Sequence, residues 1–146
     1  MGWMVSVTTA RWLQPLLLAW QLSGHPDGGP LAAAARDYNV PPSVMWAVAR
    51  AETYHSIANV EVSRRQAVGR MQVLPRVWYS TCGRTWGPHR YTANIRCGAL
   101  ILRHYLSRCH EDVRCAAWRY VGGDSVYARR VAEQSLLYDL KTRTEP

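Results

Sequence analysis

The chain has 146 residues, 48% of them apolar, and a net charge of +8 carried by seventeen arginines and one lysine against ten acidic groups. This length and apolar fraction exclude a disordered chain and fit one globular domain that needs no metal to hold its core together. The charge favours an anionic partner such as nucleic acid, a membrane surface or a bacterial wall. Yet the basic runs are no longer than the pairs Arg64–Arg65 and Arg129–Arg130, too sparse a stripe for a helix that reads DNA, and nucleic acid is set aside.

In chain order, the first segment is "ARWLQPLLLAWQLSG" (10–24). Its apolar run has the length of a signal-peptide core and is too short to span a bilayer. Its only side-chain charge is Arg11, Pro15 interrupts it, and small residues suited to cleavage come only at "LAAAA" (31–35), beyond the linker "SGHPDGGP". Two readings stay open: a poor signal peptide, or an uncleaved apolar helix whose tryptophans dock into a larger assembly or a membrane interface. Residues 1–30 are accordingly separated from a domain over 31–146.

Residues 31–39 read as a short helix closed by Asn39, after which Pro41 and Pro42 reset the chain and open a helix over 41–54. There Val44, Val48 and Glu52 recur at helical spacing on one face. A carboxylate in line with buried valines loses water, which raises its pKa toward neutrality. That is wasteful in a structural residue and useful in a proton donor. Residues 55–70 lose periodicity and read as a surface loop with at most a small hairpin. Pro75 opens a short helix, "TCGRTWGPHRYTA" reads as a loop, and "NIRCGALILRHYLSRC" as a long helix. "EDVRCAAWRYV" is a further helix, broken by "GGD" before the last, "DSVYARRVAEQSLLYDL". No strand-period segment or repeat interrupts this series, so the expected fold is all-α.

Cys82, Cys97, Cys109 and Cys115 all lie in the second half. Their local spacings most simply give Cys82–Cys97 and Cys109–Cys115 bridges, which imply an oxidising compartment; the other two connectivities stay open. Zinc is the competing reading, because His104 and His110 lie among them, but no paired CxxC supports it. Buried free thiols are the third.

The loop after Glu52 runs into "SRRQAVGRMQVLP", and here the chain resembles the catalytic domain of soluble lytic transglycosylases, relatives of goose-type lysozymes. Four blocks match in order: "VARAET" ending a helix, Ser63 through Gly69 to Gln72 and Pro75, "NIRCG", and "AAWRYVGG" followed by "VYARRV". The resemblance implies a compact lysozyme-like fold and cleavage of the MurNAc–GlcNAc bond of peptidoglycan with 1,6-anhydro-MurNAc ends. It implies that Glu52 is the catalytic acid and then the base, and that Tyr120 contacts and holds it. Ser63 and Gln72 match residues that meet sugar acetamido and hydroxyl groups, Met71 and Leu74 match the groove lining, and Asn94 is expected to cap its helix and frame the cleft. It implies no cofactor and no metal. The setting it implies is the periplasm or cell envelope, with a phage virion or secretion machine as further possibilities.

The residues support this chemistry independently. Most glycosidases need two carboxylates, and only Glu61 and Asp124 could supply a second here. One carboxyl suffices if the substrate's N-acetyl oxygen stabilises the cation and its own 6-hydroxyl, held intramolecularly, replaces water. A hydrolytic lysozyme using Glu61 or Asp124 is the alternative within the enzymes. A non-catalytic wall-binding component of a phage particle or secretion machine is the alternative outside them. It gains weight from Val121, which stands where the family has Asn. Thr53, Gln66 and Arg70 are the other departures. Trp46, Trp78, Trp86 and Trp118 read as core or groove wall, with sugar stacking on Trp86 or Tyr91 as the lesser alternative.

Overall fold

The structure is a computed structural model and describes residues 28–52, 67–83 and 91–144. Six helices account for most of them: α1 (Gly28–Tyr38), α2 (Pro42–Glu52), α3 (Pro75–Cys82), α4 (Tyr91–Arg108), α5 (Val113–Tyr120) and α6 (Ser125–Thr144). Among the described residues there is no strand, only one antiparallel bridge between Val68 and Val73. The all-α expectation holds. The apolar segment before residue 28 and residues 55–66 of the 55–70 stretch, read as a loop with at most a small hairpin, lie outside the described residues.

α1 begins three residues earlier than the apolar pattern indicates, because the first turn of a helix tolerates Gly28, Gly29 and Pro30, whose missing or unused N–H groups cost nothing there. It ends where Asn39 turns left-handed (φ 55°) and the Val40 N–H returns to the Ala35 carbonyl at 2.9 Å. Pro41 then accepts from the N–H groups of Val44 and Met45 and starts α2. Every residue from Pro42 to Ala49 is buried, as a helix apolar all round must be. Val44, Met45 and Val48 are each 2% exposed or less, and each contributes about 1.5–3 kcal/mol of burial.

α2 packs against α6, α6 against α5, α5 against α4, and α1 against both α4 and α2. Tyr138 of α6 fixes one crossing. Its ring meets Trp46 edge to face at 5.8 Å, and its hydroxyl accepts from the Arg50 guanidinium at 2.9 Å. Arg103 of α4 ties two turns together, donating to the Asn39 carbonyl at 2.5 Å and to the Glu111 carboxylate.

Caps define the later helices. Asp112 accepts from the Cys115 N–H at 2.7 Å to open α5, and Asp124 accepts from the Tyr127 N–H at 2.9 Å to open α6. Cys82–Cys97 joins α3 to α4, and Cys109–Cys115 closes the α4–α5 turn. The zinc and free-thiol readings give way to these bridges: a cysteine in a disulfide has no thiolate to offer a metal.

Candidate active site

Glu52 is the last residue of α2, carried there by the same stripe that buries Val44 and Val48. Its carboxyl accepts from the Tyr127 hydroxyl at 2.7 Å. Burial pushes its pKa up from 4.5 to about 7, against the smaller opposing pull of the Tyr127 hydrogen bond. The acid is therefore substantially protonated at neutral pH, as proton donation requires. Burial, helped by the nearby Glu52 charge, raises Tyr127 and Tyr120 well above 10, so both remain hydroxyl donors.

The hydrogen bond to Glu52 comes from Tyr127, a residue other than the Tyr120 expected to contact and hold it. Tyr120 instead donates to the Met71 carbonyl at 2.7 Å and so anchors the turn beside the acid. Tyr127 was assigned no role from sequence. Its signal was its place on the buried stripe of α6, one turn before Val131, but the residue it meets depends on how α6 crosses α2.

The turn itself spans Val68 to Val73, whose backbones exchange hydrogen bonds of 2.8 and 3.0 Å. Gly69 has φ +78°, and a Cβ there would lie 2.5 Å from the Asn94 amide, so glycine is required twice over. Asn94 is not a helix cap. It lies inside α4, fully buried, its Oδ1 accepting from the Met71 N–H at 2.8 Å and its Nδ2 donating to the Val68 carbonyl at 2.7 Å. A side chain pointing to the turn cannot also serve its own helix end.

Met71 is also placed differently from the expectation. Its side chain is 0% exposed and packs on Gly98 of α4, where an added Cβ would meet Met71 at 2.6 Å. It belongs to the core rather than to an open groove wall. Gln72 stands in a left-handed conformation (φ 47°), rare for a residue with a Cβ, and its amide donates back to the Gly69 carbonyl at 3.0 Å. Such strain concentrates at functional turns. Leu74 is half-buried at the start of α3. Ser63, Glu61 and Trp86 lie outside the described residues. Asp124, the other candidate second carboxylate, is exposed and committed to capping α6.

A mainly helical, lysozyme-like domain in which a largely desolvated carboxyl in the last turn of a helix is met by a tyrosine hydroxyl has the makings of a glycan-cleaving protein. Residues 30–139 match the family described as the Transglycosylase SLT domain, and the chain belongs to that family. Its function is in general of the lytic transglycosylase type, directed at peptidoglycan. No curated protein and no solved structure matches the chain.

Proposed function

We propose that the protein cleaves the MurNAc–GlcNAc β-1,4 bond of peptidoglycan strands with Glu52 as its single acid and base. The observation that carries this reading is the Glu52 carboxyl in the last turn of α2, half-buried so that lost solvation raises its pKa, and accepting from the Tyr127 hydroxyl at 2.7 Å. Protonated Glu52 gives its proton to the glycosidic oxygen as the C1–O bond breaks, and the GlcNAc side leaves as an alcohol. The N-acetyl oxygen of MurNAc stabilises the cationic C1. The ionised Glu52 then takes the proton of the 6-hydroxyl as that oxygen bonds to C1, which closes the 1,6-anhydro ring and restores the acid. No water is consumed. Gln72 on its strained turn and Ser63 would meet the sugar's polar groups.

Action outside the cytoplasm, in the periplasm or envelope, is supported by the two disulfides, which persist where the surroundings oxidise. The test is mass spectrometry of muropeptides released from purified sacculi, with Glu52→Gln as control. Products lighter than the hydrolytic ones by one water, absent with the variant, are expected. Reducing-end products would mean that water is the acceptor, and no release from a folded chain would leave a wall-binding role.

A further inference from the structure

Beyond the acid and its turn, one side-chain cluster has no part in the chemistry just described. Trp78 of α3 and His104 and Tyr105 of α4 meet pairwise edge to face, with ring centroids 6.1, 5.9 and 5.3 Å apart. Trp78 and Tyr105 are only half-buried, and His104 is exposed. Trp78 lies one turn along α3 from Leu74, on the same face. The cluster also adjoins the turn: α3 follows directly on the 68–73 turn that Tyr120 anchors, and the Trp78 N–H donates to the Leu74 carbonyl at 3.1 Å.

We propose that Trp78, Tyr105 and His104 are an aromatic platform of the same cleft, holding a sugar ring of the glycan strand beyond those at the acid. This rests on the reading of the substrate given above. A hexose turns a face of C–H groups, slightly positive, to whatever it stacks on, and an aromatic ring offers a negative face of matching size. The imidazole, open to water beside the two larger rings, adds a hydrogen-bonding group for the sugar's hydroxyls. Apolar rings with one polar group at their edge are the usual make-up of a ligand site. A platform at this remove adds nothing to bond cleavage itself. It lengthens the stretch of strand that the protein grips.

The test uses the full chain carrying Glu52→Gln, so that nothing is turned over, and titrates it by calorimetry with β-1,4-linked N-acetylglucosamine oligomers of three and of six sugars. The six-sugar chain is expected to bind more tightly. Adding Trp78→Ala should weaken it about fivefold to tenfold while leaving the three-sugar chain unchanged. Trp78→Phe should retain part of the gain, and His104→Ala, at an exposed position, should lose a smaller part of it. If Trp78→Ala melts below its parent, those two variants decide the matter. An unaltered preference for the longer oligomer, or an equal loss for both lengths, overturns the platform. If the unmutated chain releases nothing from sacculi, the substrate reading fails and the platform with it; release together with an unaltered length preference sinks the platform alone.

Discussion

The Tyr127 hydroxyl and the Glu52 carboxyl, 75 residues apart in sequence, meet at 2.7 Å and join α6 to the end of α2. This bond lowers the pKa of Glu52, and burial raises it further than the bond lowers it. Tyr127→Phe therefore moves the alkaline limb of the activity–pH profile upward. It also slows cleavage about tenfold, since the carboxyl loses the partner that orients it. Sacculus clearance followed across pH checks both effects. A slower enzyme with an unmoved limb would mean that Tyr127 merely fills space.

Glu52 also sets a pH dependence of stability. Its folded pKa of about 7 lies above the ordinary 4.5, so the folded state favours the proton. The resulting contribution is complete below pH 4.5, erodes as pH rises, and is lost above about 7, a span of about 3 kcal/mol. Glu52→Gln carries no charge to desolvate. It should melt well above the unmutated chain in alkaline buffer and close to it in acid. Equal differences at both extremes in thermal melts would show that the carboxyl is not held neutral.

Asn94→Ala removes both bonds that hold the 68–73 turn on α4 and leaves the Met71 N–H buried without an acceptor. The expected loss is about 2–4 kcal/mol in urea unfolding, from the lost bonds and the space left behind. Activity should fall further than unfolding explains, because Gln72 rides on the same turn.

Gly98→Ala tests the seat of that turn from below. The new methyl would come within 2.6 Å of Met71, whose side chain is enclosed. The cost is about 1–3 kcal/mol, read as a lower melting temperature. A neutral outcome would show that the turn shifts freely.

The two disulfides should differ in worth. Cys82–Cys97 spans 15 residues and Cys109–Cys115 spans 6, and a longer closed loop restrains the unfolded chain more. Replacing the first pair by serine should cost about 3 kcal/mol and the second pair less. Calorimetry of the two variants ranks them.

What could be read from sequence follows the range of the interaction. Val44, Val48 and Glu52 are bound by helical spacing alone, so the buried acid was legible. The caps at Asn39 and the helix opened by Pro75 were local signals of the same kind. Asn94 shows the opposite case. Near a helix start, Asn reads as a cap, but its partners Val68 and Met71 are 26 and 23 residues away. Met71 was placed in the groove by its match to the family pattern, and nothing in its sequence neighbourhood reveals that Gly98 leaves a seat for it in the core. The first turn of α1 was read as linker since glycine and proline punctuate chains, although a helix start accepts both.

The place of Glu52 within α2 has one more consequence. It lies in the last described turn of the helix, toward the end at which a helix dipole places about half a negative charge. An ionised carboxylate is opposed there by roughly 0.3–1 kcal/mol. Arg50, in the same turn, donates to the Tyr138 hydroxyl of α6. The peptide dipoles of α2 and the low polarity around the carboxyl therefore act in the same direction, so the helix that delivers the acid also helps keep its proton on.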